Sequence, residues 1–445
     1  MTRIVGNYVS LQMFALLALE LLLSFCLAYT LLSTTPFAAG LEPLVANHAL
    51  ILALTVGATA FLIGLYRPEV FRRTRSMLIN TALGGLLAFP AAWLVSRAVG
   101  MDVDRLVGHD TFWPTKIVAA WIAVLFATRL LFLAAVRSNL FVRPVAVLGP
   151  ISAMAATAAA IRNGHQGFLE VISGPIANAG PAELRAAGVR DAVLPQAVWA
   201  TMRTDERAGY AARGVLLETE ARFWERCLKR VDVAHLDETW PAGLDPIRAG
   251  GLANFVNRAG DLGTSLLLLA LTLPLMLVVG LLVRLESRGP ILYRQERVGL
   301  GGRPFTLLKF RSMRVDAELR GPAWACQRDP RVTRVGSFMR RTRIDELPQL
   351  INILQGQMSF IGPRPERPHF VEQLAEVIPF YGQRARVKPG LTGWAQVNFP
   401  YGASVEDARV KLSYDLYYVK YRSTLLDLAI LFSTVRVILF QEGSR

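Results

Sequence analysis

Cysteine is nearly missing from this chain: Cys26, Cys227 and Cys326 are the only three in 445 residues, and no two are closely spaced. A disulfide framework or a zinc site needs paired cysteines, so neither is supported, and a reducing compartment suits the soluble parts. Acidic residues are also short, 34 Asp and Glu against 49 Lys and Arg, which leaves a formal net charge of +15. That excess suits anionic headgroups, phosphorylated substrates or nucleic acid. Nucleic acid is set aside, because the basic residues are interleaved with hydrophobic spans and no nucleic-acid motif is present. Internal repeats and low-complexity tracts are absent as well.

Apolar residues are abundant, at 53% of the chain, and the mean hydropathy is +0.35. This is the composition of a membrane protein. Four apolar segments come first, at roughly 11–33, 46–66, 77–99 and 115–136. Each is long enough to cross a hydrocarbon core of about 30 Å as a helix. Arg67, Arg72, Arg73 and Arg75 follow the second segment, and Arg137 and Arg143 follow the fourth. The other loops carry Glu42, or Asp102, Asp104 and Asp110 against Arg97 and Arg105. The distribution of Arg predicts that both ends of this 1–140 domain face the cytoplasm. The first segment is too long for a signal peptide and lacks a small-residue cleavage site.

Residues 141–250 read as a soluble α/β domain. The run Val145-Ala-Val-Leu-Gly149-Pro150, an Ala-rich stretch at 152–162 and a strand near 168–173 form a Rossmann-like βαβ start. A dinucleotide fingerprint needs several glycines, and Gly149 stands alone before Pro150. The expectation is a degenerate Rossmann-like domain serving as a spacer, a regulator or a pairing module for a homo-oligomer.

Leu262 to Val283 is a fifth apolar stretch, with Pro274 near its middle, Arg258 before it, and Arg284 and Arg288 after. By length it could span the membrane. A proline removes a backbone donor and bends a helix, so a helix–break–helix entering and leaving one leaflet is equally open. Leu425 to Phe440 is short and interrupted by Asp427, Ser433 and Arg436. It suits either a helix in the headgroup layer or a docked core helix.

One acidic pair, Asp345-Glu346, lies in a strongly basic block that runs from Arg340 to Arg367. Such a block suits phosphate. One carboxylate can attack phosphorus while the other holds a divalent metal, and arginines supply fixed donors for the remaining charge. The alternative for the pair is a helix start favoured by the local dipole. Around it stand Lys309-Phe-Arg311-Ser-Met, Gly362-Pro-Arg364-Pro and Arg386-Val-Lys388-Pro-Gly-Leu-Thr-Gly-Trp394.

These blocks, over about 255–440, resemble the bacterial sugar transferase family of monotopic polyprenyl-phosphate phosphoglycosyl transferases. With the spans and α/β domain in front, the chain resembles the large exopolysaccharide-initiating members. Gly321-Pro-Ala-Trp324 and Asn398-Phe-Pro-Tyr401-Gly-Ala-Ser resemble the exosortase-associated branch. The resemblance implies a 255–445 catalytic domain with a re-entrant membrane helix at 261–283, broken at Pro274. It also implies a multi-pass protein of the bacterial inner membrane with its catalytic domain in the cytoplasm. The implied reaction transfers sugar-1-phosphate from a UDP-sugar to undecaprenyl phosphate with Mg²⁺. Asp345 would be the nucleophile forming an aspartyl-phosphosugar, and Glu346 the metal-binding carboxylate. By matching position, Lys309, Arg340 and Arg364, with Arg311 and Lys388 behind them, would contact phosphates. Family members often carry Ser before the central Pro, whereas this chain has Thr272-Leu273-Pro274. Two other readings remain: a scaffold without turnover, which the intact acidic pair disfavours, and a polytopic transferase, for which there are too few spans.

Overall fold

The computed structural model describes the chain apart from residues 1, 5–6, 10, 36–39, 63–64, 67–73, 99–112, 139, 141–142, 150–154, 156–157, 160–168, 173–179, 237–239, 244–250, 316, 318–328, 400–403 and 441–445. Pro150 and most of the Ala-rich run, Cys326, Gly321–Trp324 and Tyr401–Ala403 lie outside the described residues, as do Arg67, Arg72, Arg73, Asp102, Asp104, Arg105 and Asp110. Two compact units follow one another, Met1–Leu228 and Lys229–Arg445.

The first unit begins with a short antiparallel pair, β1 (Thr2–Ile4) and β2 (Asn7–Val9). Four apolar helices follow: α1 (Leu11–Ser33), α2 (Glu42–Leu62), α3 (Thr74–Ala98) and α4 (Trp113–Arg137). Helix α1 packs on α2 and α4, and α3 closes the ring between those two. Ala28, Ala49, Ala88 and Ala92 line the contacts; small residues let helices approach where no hydrophobic effect drives them together. One polar cluster interrupts this core. Glu20 accepts from Tyr66 Oη at 2.6 Å and from Thr128 Oγ1 and Arg129 Nη2 at 2.9 Å each, and both charged residues are buried. Three donors on one carboxylate offset the cost of an ionisable group in the apolar bundle.

The same unit carries a four-stranded parallel sheet in the order β4 (Leu169–Ile172), β3 (Arg143–Val147), β5 (Asp191–Leu194), β6 (Leu216–Thr219). Helices α5 (Pro181–Ala186), α6 (Gln196–Thr201) and α7 (Thr204–Ala212) lie between strands, and α8 (Glu220–Phe223) follows β6. Gly149, after β3, sits at φ +126° with Pro195 Cδ only 3.1 Å from where a Cβ would be. That close packing accounts for the lone glycine without a nucleotide.

The second unit takes in Val231 and Val233, which join a core built on Leu416, Tyr417 and Tyr418, upstream of the expected start at 255. Its longest element is α9 (Gly251–Glu286). At Pro274, where a break is expected, α9 is continuous in secondary structure, and the proline lies inside it. Proline leaves the Ala270 carbonyl without its usual donor. Thr272 Oγ1 does not replace that donor, since it bonds the Leu268 carbonyl at 2.7 Å.

Both halves of α9 rest on one body. Before the proline, Leu268 and Leu269 pack against Leu350, Ile353 and Met358. After it, Val279 and Val283 are buried against Phe310 and Met339. The ends are tied down by polar contacts. Arg258 donates to the Ile353 and Leu354 carbonyls at 2.7 and 2.8 Å. Asp261 accepts from Ser359 Oγ and Phe360 N, both at 3.1 Å. Glu286 accepts from Arg334 N at 2.8 Å and from Val335 N. The opposite stripe, including Leu266, Leu271, Leu277, Leu281 and Leu285, is exposed. Among the described residues, α9 is one of four helices long and apolar enough to cross a membrane, with those over Met13–Ser33, Glu42–Phe61 and Thr115–Ala135. Helix α3 carries only a shorter apolar stretch, Gly84–Val95.

A hairpin follows, β7 (Leu292–Val298) and β8 (Pro304–Phe310), with Tyr293 opposite Lys309. Then come α10 (Arg334–Thr342), α11 (Gln349–Leu354), β9 (Ser359–Ile361), α12 (Pro368–Val377), β10 (Gly390–Thr392), α13 (Trp394–Asn398), α14 (Val405–Tyr421) and α15 (Thr424–Phe440). Strands β9 and β10 pair in parallel so closely that a Cβ on Gly362 would overlap the Lys388 carbonyl. Helix α15 docks: Leu426 and Ile430 are buried in the core, and Leu428 and Leu431 stay exposed.

Candidate active site

Four segments of the second unit converge on the acidic pair. Helix α10 starts at Thr333, whose hydroxyl accepts from Gly336 N at 3.0 Å, and the Glu286 carboxylate covers its first two amides. It ends at Arg343, which adopts the left-handed conformation at φ +60°. An L-residue there is disfavoured by about 1 kcal/mol. The turn it makes sends the chain into a 3-10 turn, Ile344–Glu346, that places both carboxylates beneath β8.

Glu346 Oε1 gathers the cations. Arg364 Nη2 donates to it at 2.7 Å and Lys309 Nζ at 3.3 Å, and Arg343 Nη1 lies 3.6 Å away. Burial alone would raise the Glu346 carboxyl, but Arg364, Lys309 and Arg343 outweigh it and hold it far below the usual carboxylate range. Asp345 differs. Only 7% of it is exposed, yet no hydrogen bond or ion pair reaches its carboxylate from the described residues. Burial pushes Asp345 up; Lys309 opposes that shift, and the charge on Glu346 adds to it. Lys309 is pulled down by burial, with Arg364 and Arg297 adding and Glu346 and Asp345 opposing. Arg340 Nε bonds Ser312 Oγ at 2.9 Å, and Arg340 acts on Asp345 through its charge. The two carboxylates thus face four cations, Lys309, Arg340, Arg343 and Arg364, a surplus suited to a polyanion.

The other expected contacts sit elsewhere. Arg311 caps the end of α9: Nη1 donates to the Arg288 carbonyl at 3.0 Å and Nη2 to the Ser287 carbonyl at 2.7 Å. Lys388 has Arg258, Asp261 and Arg422 as its charged neighbours. Pro274 lies inside α9, and Met276 just after it packs in one cluster with Ile344 and Leu347, which flank the acidic pair.

Several residues that position the site went unread in the sequence. Asn352 is fully buried; its Oδ1 accepts from Leu308 N at 3.0 Å and its Nδ2 donates to Thr306 O at 2.8 Å. It thereby locks α11 onto β8 beside Lys309. A lone Asn inside the apolar run Leu350–Leu354 was the available signal. Arg297 and Arg384, which donate to the Pro365 and Arg364 carbonyls, are further examples.

Among the described residues, no three His, Cys, Asp or Glu cluster as a metal cage. Mg²⁺ does not require one, because it takes one or two carboxylates and completes its shell with water and substrate phosphate. The pair fits that mode. Glu346 Oε1 is occupied by cations, while no described residue donates a hydrogen bond to Oε2.

The chain matches the family described as bacterial sugar transferase over residues 252–441. It is 42% identical over 262 residues to the UDP-N-acetylgalactosamine-undecaprenyl-phosphate N-acetylgalactosaminephosphotransferase of Aeromonas hydrophila, covering 57% of this chain and 61% of that protein. It is 43% identical to the UDP-glucose:undecaprenyl-phosphate glucose-1-phosphate transferase of Escherichia coli (strain K12), over 42% of this chain and 40% of that protein. A third relative, the exopolysaccharide production protein PSS of Rhizobium leguminosarum bv. phaseoli, is 41% identical over 40% of this chain and 93% of its own length. The match therefore spans less than two thirds of the first two relatives.

Proposed function

Because this chain belongs to the bacterial sugar transferase family, we propose that it transfers sugar-1-phosphate from a UDP-sugar to undecaprenyl phosphate, through a phosphosugar carried on Asp345. The observation that carries this reading is the contrast within the pair. Glu346 is saturated on one oxygen by Arg364 and Lys309, while the buried Asp345 carboxylate is unengaged by the described residues. A nucleophile has to be uncommitted and ionised.

In the first step an Asp345 carboxylate oxygen bonds the β-phosphorus, the bond from that phosphorus to the bridging oxygen breaks, and UMP leaves with the electron pair. In the second step an oxygen of the lipid phosphate attacks the same phosphorus, releasing the Asp345 carboxylate and giving the diphosphate-linked lipid. Arg364, Lys309 and Arg340 hold the diphosphate in line and draw charge from its oxygens. When bound, Mg²⁺ on Glu346 Oε2 would neutralise phosphate charge.

The chemistry belongs on the cytoplasmic side of the inner membrane, where the nucleotide sugar is. Supporting this is α9, whose two halves and both ends are held by the same polar unit. A helix tied down at both ends in this way suits a monotopic, re-entrant seat in one leaflet, with its exposed leucines in lipid. The parallel sheet in front, in the order β4-β3-β5-β6, fits a Rossmann-like domain that lacks a nucleotide site. The relatives' names differ in their sugar, so UDP-glucose and UDP-N-acetylgalactosamine are the first donors to try. The test is UMP release on mixing the protein with a UDP-sugar and Mg²⁺ without lipid. About one UMP per protein is expected, and none from Asp345→Asn. A scaffold without turnover would release none in either case.

A further inference from the structure

The loop Pro363-Arg364-Pro365-Glu366 carries the guanidinium that grips Glu346, and it is held in an unusual way. Prolines at 363 and 365 have no N–H to donate, so the loop is fixed mainly through its carbonyls. All four are engaged. The Pro363 carbonyl accepts from Gly390 N at 2.9 Å, Arg364 from Arg384 Nη2 at 2.8 Å, Pro365 from Arg297 Nη1 at 3.0 Å and Glu366 from Val298 N at 2.9 Å.

Two of these four donors are guanidiniums with a second anchor, Arg384 buried and Arg297 partly buried. Arg384 is 7% exposed; its Nη2 also donates to Asp415 Oδ2 at 2.8 Å, and its Nη1 to Tyr381 Oη at 3.1 Å. Asp415 is 2% exposed, on α14. Arg297 Nη1 also lies 3.7 Å from Glu366 Oε2, and Lys411 Nζ holds Glu366 Oε1 at 2.6 Å. The Arg384–Asp415 pair is buried; buried charges are costly unless paired, and removing one partner leaves the other stranded. One chain of contacts thus runs from Asp415 on α14 through Arg384 to the backbone of Arg364.

Building on the proposed function, we infer that Arg384, with Asp415 and Tyr381, is a positioning group for the reaction: it sets the Arg364 backbone so that its guanidinium meets Glu346 and the donor's diphosphate. Arg297 performs the same task on the next carbonyl. Neither touches the acidic pair by hydrogen bond; Arg384 reaches it through the Arg364 carbonyl, whereas Arg297 also bears on Lys309 through its charge. Burial would draw the Arg384 charge down, but Tyr381, Asp415 and Glu366 outweigh it, so the guanidinium stays cationic across the working range.

Arg384→Lys keeps the charge opposite Asp415 but cannot reach Tyr381, Asp415 and the Arg364 carbonyl together. A displacement of about 1 Å at a positioning group can cost about 10²-fold in rate, so kcat should fall by roughly that factor, with KM for the UDP-sugar changing much less. The decisive arm is a double-mutant cycle with Arg364→Lys. If Arg384 works through Arg364, the double variant is no slower than Arg364→Lys alone within about twofold, the scatter seen for non-interacting pairs. Losses that multiply would overturn the inference. If Arg384→Lys does not fold, Tyr381→Phe, which frees only one arm, replaces it in the same cycle.

A second arm needs no turnover. Melting temperatures of Glu346→Gln, Arg384→Lys and the pair should be non-additive, with Glu346→Gln costing less in the Arg384→Lys background. Additive shifts would reject the clamp. Should the parent protein release no UMP, the reading of its activity fails while this second arm still decides the clamp.

Discussion

Asp345 and Glu346 are consecutive and buried alike, yet their surroundings drive them in opposite directions. Arg364, Lys309 and Arg343 converge on Glu346 Oε1, while no described residue bonds the Asp345 carboxylate. Their pKa values are pushed apart, the usual mark of two carboxyl groups with different tasks.

Asp345→Asn should abolish transfer, by on the order of 10⁴- to 10⁶-fold as for other lost nucleophiles. It should also leave the fold as stable or more stable. A carboxyl raised by burial weakens the folded state where it is charged, so Asn should raise the melting temperature near neutral pH. That gain should vanish as pH falls below the ordinary Asp range. Thermal unfolding across pH, in detergent, checks both signs.

Glu346→Gln should behave oppositely in stability. Its depressed carboxyl contributes stability above the ordinary Glu range, and that contribution is lost as acid protonates it. The variant should therefore melt lower at neutral pH, with the difference closing as pH falls. In activity it should need more Mg²⁺, read as a rise in the half-saturating metal concentration; an unchanged metal requirement would remove Glu346 from that role.

Arg364→Lys keeps a charge but loses the planar fork, and Lys and Arg are not equivalent at such sites. Losing one preorganised donor to developing charge typically costs about 10²- to 10³-fold in kcat, and steady-state rates with UDP-sugar and lipid phosphate measure it.

Much of this was legible from the residues alone. The acidic pair, Lys309 and Arg364 come together in one site, as expected of blocks whose cations suit phosphate beside adjacent carboxylates. Arg311 is expected near phosphate only by its place in the matching block Lys309-Phe-Arg311-Ser-Met. But β8 ends at Phe310, so the chain turns before Arg311 and its guanidinium caps α9. Lys388 precedes β10, and strand pairing carries it toward Arg258 and Asp261. Pro274 was read as a break; packing of both helix halves on one body keeps α9 helical through it. Arg384 and Asn352 could not be read at all, because their partners are backbone carbonyls and amides brought near only by the tertiary fold.

Asn352→Leu gives a measure of that hidden layer. It keeps the branched shape but strands Leu308 N and Thr306 O and removes the partner of Gln357 Oε1, and each buried unsatisfied group costs about 1–3 kcal/mol. Chemical unfolding should register a loss of that order, together with slower turnover as Lys309 loosens.

The most direct measurement is peptide mapping by mass spectrometry after mixing the protein with a UDP-sugar and Mg²⁺ in the absence of lipid. The account predicts a phosphosugar mass on the peptide containing Asp345, formed as UMP appears and removed on adding undecaprenyl phosphate. Transfer to lipid with no such adduct, or with the adduct on another residue, would contradict it.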